Sequence, residues 1–419
     1  MSIHEQMSAL ARQAREASRL MAKAPSAAKD KALTILAELL ASRAGFITEA
    51  NARDLAKAEA SGMDAARLDR LRLTPKVLAS MAKACLDVAA MPDPVGAIET
   101  MWQRPNGLMV GKMRIPLGVV CMIYESRPNV TVDSAILCLK SGNAVVLRGG
   151  SEAIHSNTAL AGLLSQALDD AGLPGEAVRL VPTTDRAAVS ELCKLDQYID
   201  VMIPRGGEGL IRSVVEAATM PVLKHYKGVC HIFVDEDADL ARAVDIVDNA
   251  KCQRPGVCNA LECLLVHEKA AAAFLPMIAS VLGGRGVEFR ACPASLPLLG
   301  ASARPAAEGD WGCEFLDYVL AVRVVSDMDQ ALEHIAAHAS NHTECILTAD
   351  HARAMRFLRE ADASMVGINC STRFNDGGEL GLGAEIGIST SKLHAYGPMG
   401  LKELTSLKFV VFGQGQVRV

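Results

Sequence analysis

The chain has 419 residues, half of them hydrophobic, and a formal net charge of −5. That length can bury a large core, so we expect at least two domains. The slightly acidic balance and the lack of a long basic run argue against nucleic acid as the main partner. No apolar run approaches the roughly 20 residues that cross a bilayer, and the N terminus lacks the apolar core of a secretory signal.

Twelve cysteines lie between Cys85 and Cys370, with no CxxC pair and no regular spacing. This pattern predicts neither a metal site nor a disulfide framework. Free thiols fit a reducing compartment, so we expect a cytoplasmic protein.

The first hundred residues are alanine-rich and read as helices with a packing role, one face carrying Met7, Leu10 and Met21. Further on, Asn106 and Gly107 between extended segments predict a two-residue hairpin, and thus a projecting ribbon.

From residue 118 strands and helices alternate. We predict strands at 119–123, 144–147, 178–181 and 199–203. A helix at 132–140 separates the first two strands, and a helix at 154–171 separates the second from the third. After a break near 227, a second series has strands at 231–234, 261–266, 318–324, 345–347 and 365–368. This order is typical of an α/β protein with parallel sheets covered on both faces. The C-terminal run 407–419 looks like a strand with an exposed edge, and pairing with another subunit is the simplest explanation for it.

Three loops follow predicted strands of the first series: YESRPN at 124–129, RGGS at 148–151 and PRGGEG at 204–209. Glycine allows close approach of a ligand, and a helix start attracts anions. None of the loops has the GxGxxG spacing of a standard dinucleotide fold. If a dinucleotide binds, Arg148 and Ser151 favour the 2′-phosphorylated form, a preference that Glu152 moderates. The cofactor contacts we expect from two of these loops are Arg148, Gly149, Ser151, Arg205, Gly206 and Gly207.

The run KCQRPGVCNA at 251–260 joins a predicted amphipathic helix to an apolar strand. Because Pro255 and Gly256 end the helix, Cys258 should lie on a loop, where a thiol can meet a substrate. A thiol reacts as the thiolate, which nearby positive charge stabilises, and Lys251 and Arg254 are expected to supply that charge. The alternative is that Cys258 packs as a small hydrophobe. Cys252, on the helix side of Pro255, is interpreted as structural.

These runs resemble the gamma-glutamyl phosphate reductases of the aldehyde dehydrogenase superfamily. The resemblance is carried by PLGVV at 116–120, YESRPNVTVD at 124–133, KSGNAVVLRGG at 140–150, PRGG at 204–207, QRPGVCNA at 253–260, RFNDGG at 373–378 and YGPMGL at 396–401. It implies an aldehyde-dehydrogenase-like α/β fold with two parallel-sheet domains and a small β ribbon for oligomerisation. It also implies NADPH-dependent reduction of L-glutamate 5-phosphate to L-glutamate 5-semialdehyde with release of phosphate, in proline biosynthesis.

The resemblance further implies domains and site residues. Residues 1–104 and 117–227 would form the cofactor-binding domain, 228–385 the catalytic domain, and 105–116 and 386–419 oligomerisation or bridging segments. The superfamily's nucleophile falls on Cys258, its oxyanion donor on Asn129 and its ribose-binding glutamate near Glu314.

One departure concerns the segment LKHYKG at 223–228, which has no acid where hydrolytic aldehyde dehydrogenases carry a water-activating glutamate. An acyl group that leaves as an aldehyde after hydride transfer needs no such base. His225 and His231 flank the end of this segment, and a structural role is favoured for both.

The substrate carries a carboxylate, an ammonium and a phosphate, and bidentate arginine suits the two anions. The substrate-binding candidates are Arg127, Arg254 and Arg373, with Ser371 and Thr372 as hydroxyl donors. Each arginine could equally form a surface salt bridge.

Three other functions stay open at this stage: a dehydrogenase that passes its acyl group to coenzyme A, a hydrolytic aldehyde dehydrogenase, and a non-catalytic nucleotide-binding relative. We expect a homo-oligomer formed through 105–116 and the C-terminal strand. An association with the glutamate 5-kinase that makes the substrate is also compatible with the resemblance.

Overall fold

The computed structural model describes residues 1–125 and 127–418. Ser126, within the predicted loop 124–129, lies outside the described residues. The chain divides into two compact units. The first consists of Met1–Lys224, Leu382–Gly387 and Met399–Val419, and the second of His225–Gly381 and Ile388–Pro398.

The elements up to residue 224 are α1 (Ile3–Met21), α2 (Ser26–Ser42), α3 (Ala44–Ala60), α4 (Ala65–Leu71), α5 (Pro75–Ala90), β1 (Ile98–Gln103), β2 (Met109–Pro116), β3 (Val119–Tyr124), α6 (Asn129–Lys140), β4 (Ala144–Arg148), α7 (Ile154–Asp170), β5 (Val178–Leu180), α8 (Ala187–Leu192), β6 (Val201–Arg205) and α9 (Glu208–Ala217). The remaining elements are β7 (Cys230–Val234), α10 (Leu240–Cys252), β8 (Leu261–His267), α11 (Glu268–Gly284), β9 (Glu288–Ala291), α12 (Leu296–Leu299), β10 (Ala303–Pro305), β11 (Val319–Val325), α13 (Met328–His338), β12 (Thr343–Leu347), α14 (His351–Glu360), β13 (Met365–Ile368), β14 (Ile388–Ser389), β15 (Gly397–Pro398) and β16 (Thr405–Phe412).

The first unit is built on a parallel sheet in the order β5-β4-β3-β6. All six residues of β3 are buried, as expected for a strand covered on both faces. Ile123 lies opposite Arg148, and Tyr124 lies opposite Arg205. The loops after β3, β4 and β6 therefore begin at the same edge of the sheet. The predicted apolar face of α1 is also confirmed, since Met7, Leu10 and Met21 are buried.

The predicted hairpin is present, because β1 and β2 pair antiparallel on either side of Asn106-Gly107. Its loop is longer than the two residues predicted, since the backbone N–H of Arg104 donates to the carbonyl of Leu108. Gly107 has φ +85°, the left-handed conformation that three-residue hairpin loops require at one position. The C-terminal strand has a partner within the chain that the sequence did not indicate: β16 pairs along its whole length with β2. Pairing with another subunit stays a prediction. An eight-residue ladder within the chain already satisfies one side of β16. Phe409, 65% exposed, lies on this strand.

The second unit is built on a parallel sheet in the order β10-β9-β11-β8-β7-β12-β13. Five of these strands were predicted. The two missed ones, β9 and β10, are four and three residues long at one edge. Their charged residues and short length hide them from a search for apolar runs.

The predicted α/β architecture is therefore present, with two parallel sheets and a small antiparallel sheet of β1, β2 and β16. Within residues 1–125 and 127–418, no helix combines the length and apolar character needed to span a membrane.

Candidate active site

Cys258 lies in a turn between α10 and β8, as the Pro255-Gly256 pair predicts. The helix ends at Cys252, and Cys258 is partly exposed. Burial raises the pKa of Cys252 to about 11, which suits a thiol that stays protonated. Cys258 therefore lies in a turn, whereas Cys252 is the last residue of a helix.

The backbone of Cys258 is held by the segment that leads into β7. A Cβ atom added to Gly228 would lie 1.9 Å from the carbonyl oxygen of Cys258, so only glycine allows this approach. The Cys230 thiol donates to the same oxygen at 3.2 Å. The position of the reactive loop therefore depends on two residues that the sequence did not single out.

Glu314 belongs to the same arrangement. Its Oε1 accepts a hydrogen bond from the backbone N–H of Gly228 at 2.8 Å. The family resemblance implied a role at the nicotinamide ribose for this carboxylate. The contact seen here links it to the glycine that packs on Cys258.

The expectation for Lys251 is wrong. Its ammonium is fully buried and lies 2.7 Å from the carboxylate of Glu262, which is 1% exposed. Burial raises the pKa of Glu262 to about 7 against the opposing charge of Lys251. A lysine committed to a buried ion pair cannot serve as the cation of the Cys258 loop. Spacing along the chain could not reveal this, because Glu262 lies on the following strand.

Arginines supply positive charge instead. Burial lowers the pKa of Arg373, and the negative charge of Asp376 opposes that shift. Arg254 and Cys258 both lie close enough to affect the pKa of Arg373. Arg373 Nε donates to Gln253 Oε1 at 2.9 Å, which ties it to the end of α10. The predicted residues Cys258, Arg254 and Arg373 thus lie near one another within the second unit.

The two predicted hydroxyl donors lie beside Arg373. Ser371 Oγ accepts from the backbone N–H of Arg373 at 3.3 Å. Thr372 is fully buried, and its hydroxyl has no hydrogen-bond partner within the described chain. A buried hydroxyl of this kind has unused capacity to bind a ligand.

His225 is brought to Cys258. One ring nitrogen each of His225 and His342 and the sulfur of Cys258 lie within 4.8 Å of one another. The three residues precede β7, β8 and β12, which are neighbours in the sheet. We refer to them as the loop set.

A second group of the same residue types lies in the core: His231, Cys263 and His334, also with donor atoms within 4.8 Å. His231 lies opposite Glu344 on one side and Cys263 on the other. His231 Nδ1 is 3.0 Å from Glu344 Oε2, and both side chains are fully buried. Within this buried set, His231 is therefore enclosed in the core beside a carboxylate, the environment expected of a structural histidine.

In the first unit, Arg148 ends β4 and is half-buried. Its Nη1 and Nη2 donate to the carbonyl oxygens of Gly149 and Thr184, at 2.9 and 3.3 Å. Its buried Nε has no hydrogen-bond partner in the described part of the chain. Burial lowers the pKa of Arg148. Ser151 is exposed at the start of the short helical turn Ser151–Ala153, so the two residues predicted to meet a 2′-phosphate begin the same loop.

The loop after β6 is arranged differently. The backbone N–H of Gly207, which caps α9, donates to Glu125 Oε2 at 3.2 Å. A Cβ added to Gly206 would lie 2.7 Å from that carboxylate, whereas one added to Gly207 would face open space. A carboxylate of the protein thus already occupies the helix start at which we expected an anionic ligand.

Asn129 is the first residue of α6. Its Nδ2 donates to Asp133 Oδ2 at 2.8 Å. Burial raises the pKa of Asp133 to about 6, while Asn129 and Arg205 oppose that shift. Arg127, in the preceding loop, is partly buried. The amide of the predicted oxyanion donor therefore has one hydrogen already engaged and a second that could serve a ligand.

The chain was compared with known proteins. The family model described as the aldehyde dehydrogenase family matches residues 2–283. The gamma-glutamyl phosphate reductases of Nitratidesulfovibrio vulgaris and Solidesulfovibrio magneticus are each 69% identical over 418 residues, covering 100% of both chains. The crystal structure of gamma-glutamyl phosphate reductase from Thermotoga maritima matches with a TM-score of 0.96 and 47% identity, covering 99% of this chain and 100% of that chain.

The chain therefore belongs to the aldehyde dehydrogenase family and, within it, to the gamma-glutamyl phosphate reductases. It is an oxidoreductase, and the predicted fold and family are confirmed. The residues that sequence reasoning missed or undervalued are Gly228, Cys230 and His225. The missing acid in 223–228 was the one available signal, since it directed attention to the segment that contains His225 and Gly228.

Proposed function

We propose that this enzyme catalyses the NADPH-dependent reduction of L-glutamate 5-phosphate to L-glutamate 5-semialdehyde, with release of phosphate, in proline biosynthesis. The observation that carries the proposal is full-length identity of 69% to relatives named gamma-glutamyl phosphate reductase. Cys258 also supports the proposal, because a partly exposed thiol in a turn can reach a substrate.

We assign the cofactor to the first unit and the nucleophile to the second. The unpartnered Nε of Arg148 and the exposed Ser151 suit the 2′-phosphate of NADPH. Packing also requires glycine at position 149, since a Cβ there would lie 2.1 Å from Asn157 Nδ2. Arg205, Gly206 and Gly207 are proposed to border the cofactor, with Glu314 assigned to the ribose. When bound, the reduced dinucleotide supplies a hydride.

In the proposed mechanism, the thiolate of Cys258 attacks the acyl phosphate carbon and expels phosphate, which leaves a thioester. After reduction, the thiohemiacetal collapses to the aldehyde and regenerates the thiolate. Asn129 and the backbone N–H of Cys258 are proposed to donate to the oxyanion. One such donor is typically worth about 3–4 kcal/mol of barrier.

The anionic groups of the substrate are assigned to arginine. Arg254 and Arg373 lie near Cys258, and Arg127 is proposed as a further ligand. The buried hydroxyl of Thr372 and that of Ser371 would complete the set. A guanidinium presents a planar set of N–H donors that matches phosphate geometry, so arginines near Cys258 favour such a group.

Organisation beyond the monomer is also a proposal. Residues 105–116 and 386–419 are assigned to oligomerisation and bridging. Among the described residues β16 is an edge strand of the sheet β1-β2-β16, and a strand of another subunit is proposed to pair with it. An association with the kinase that makes the acyl phosphate, and a cytoplasmic location, complete the proposal.

The test is an assay in the oxidative direction with glutamate 5-semialdehyde and NADP⁺, supplying either phosphate or coenzyme A as acceptor. Turnover that requires phosphate supports the proposal, whereas turnover with coenzyme A assigns the protein to the acylating dehydrogenases. Acyl release without either acceptor would indicate a hydrolytic enzyme. Arg148→Ala should raise the KM for NADPH about 10-fold or more and leave that for NADH little changed.

A further inference from the structure

We propose that His225 is the acid–base partner of Cys258: its imidazole takes the thiol proton before the sulfur attacks, and passes that proton to the departing phosphate. The identity of the leaving group rests on the proposed function. The proton exchange between the two side chains does not.

The first observation is proximity. A ring nitrogen of His225 and the sulfur of Cys258 lie within 4.8 Å of each other, and both side chains are partly exposed. At that separation a proton can pass directly after a small side-chain movement or through one water molecule. His225 lies three residues before Gly228, the glycine that packs on the Cys258 carbonyl.

The second observation concerns the tautomer. His225 Nδ1 lies 2.8 Å from the backbone carbonyl oxygen of Ile388. A carbonyl oxygen can only accept, so Nδ1 must carry the hydrogen. In the neutral ring, Nε2 then holds the lone pair and is the atom able to take a proton. The contact with Ile388 also becomes stronger when the ring is charged.

The other neighbours are poorer proton acceptors. Arg254 and Arg373 are always protonated in proteins, and Lys251 is engaged with Glu262. His342 is fully buried, so a charge placed on it would be cut off from water. Charged or titratable groups around this pair include His342, Cys230, Arg254, Arg373, Glu314, Glu344 and Glu262, together with the chain neighbours Lys224, Tyr226 and Lys227.

The first half-reaction balances with these groups alone. The S–H bond breaks and its proton moves to Nε2 of His225. The sulfur electron pair forms the C–S bond while the C–O bond to phosphate breaks, and the phosphate oxygen keeps that pair. The proton on His225 then moves to this oxygen, so hydrogen phosphate leaves and the imidazole returns to neutral. No oxidant or reductant is required for this step.

The experiment measures the rate at which iodoacetamide alkylates Cys258 between pH 5 and 10, with the modified residue identified by mass spectrometry. His225→Asn keeps an amide that can donate to the Ile388 carbonyl but removes the base. We expect alkylation at pH 6.5 to fall about tenfold or more, and the midpoint of the profile to rise toward the value of about 8.5 of an ordinary thiol. The matched control is His351→Asn, at the exposed start of α14, which should keep the wild-type profile within about threefold.

An unchanged profile in His225→Asn, or an equal loss in His351→Asn, would overturn the assignment. If His225→Asn does not fold, the wild-type protein still provides a test. The thiolate absorbance that alkylation of Cys258 removes should persist below pH 7, and its absence there would equally contradict the proposal. Because alkylation needs no substrate, the outcome is separate from whether glutamate 5-phosphate is the substrate.

Discussion

Two groups of histidine and cysteine in the second unit have the same composition and the same 4.8 Å spread, yet they differ in almost every other respect. The loop set of His225, Cys258 and His342 precedes three neighbouring strands. The buried set has His231 and Cys263 within strands β7 and β8, beneath α13. Residue type and distance alone therefore do not distinguish a reactive site from a structural one.

The difference lies in how the protons are fixed. In the buried set, Arg323 Nη1 donates to His334 Nδ1 at 2.9 Å, so the neutral ring carries its hydrogen on the nitrogen that faces Cys263. Burial lowers the pKa of His334 to about 2. Burial also opposes a charge on His231, but Glu344 outweighs it and raises the pKa of His231 to about 10. In the buried set, His334 thus carries its hydrogen on Nε2 and Glu344 holds a charge on His231. In the loop set, the contact with Ile388 places the hydrogen of His225 on Nδ1.

The largest expected effect separates the two cysteines. Cys258→Ser should lower kcat/KM by roughly a thousandfold or more, because a hydroxyl replaces the nucleophile. Cys263→Ser should stay within about threefold, since a hydroxyl can replace the thiol beside His334 Nε2. Steady-state kinetics with circular dichroism as a folding check would measure both. Similar activities in the two variants would remove the functional distinction between the sets.

The buried set should instead govern stability. Glu344→Gln leaves the charge of His231 without its partner, and breaking such a buried pair costs about 3–5 kcal/mol of unfolding free energy. Urea unfolding would measure this. Glu360→Gln, which breaks an exposed pair with Arg356, is the control and should cost less than about 1 kcal/mol. A loss of similar size in both variants would contradict the structural role.

The loop set should depend on the backbone beneath it. Gly228→Ala must displace the Cys258 carbonyl, which a new Cβ would approach to 1.9 Å. A misplaced nucleophile should lower kcat/KM by about 10- to 100-fold. Gly256→Ala, whose new Cβ would meet its nearest atom only at 3.8 Å, should retain activity within about threefold. Wild-type kinetics in Gly228→Ala would show that this contact does not position the thiol.

Expressed per pH unit, the smallest effect is a pH dependence of stability. His231 has a folded pKa of about 10, above an unfolded value of about 6.5, so its contribution is complete below pH 6.5 and is lost as the pH rises toward 10. His334 has the opposite sign, since its lowered pKa of about 2 costs stability as the pH falls below about 6.5. Titration of His231 should contribute an alkaline slope of up to about 1.4 kcal/mol per pH unit above pH 6.5. In Glu344→Gln, unfolding free energies measured from pH 6.5 to 9.5 should have a shallower slope, and an unchanged slope would refute this origin.

The sequence predicted what local patterns encode. Apolar runs located β3, β4 and β8, and Pro255 with Gly256 located the Cys258 turn. Contacts between distant segments were not accessible in this way. Glu262 neutralises Lys251 from the next strand, and β2 pairs with β16 from almost 300 residues away. His225 was undervalued for the same reason, because its carbonyl partner Ile388 lies far along the chain.

The most direct test of the loop set is to trap its acyl intermediate. The protein would be incubated with glutamate 5-semialdehyde and NADP⁺ without phosphate, then digested and examined by mass spectrometry. We predict a glutamyl thioester on Cys258 that disappears when phosphate is added, with Cys263 unmodified. An acyl group on another residue, or none on Cys258 while NADP⁺ is reduced, would contradict the assignment of the nucleophile.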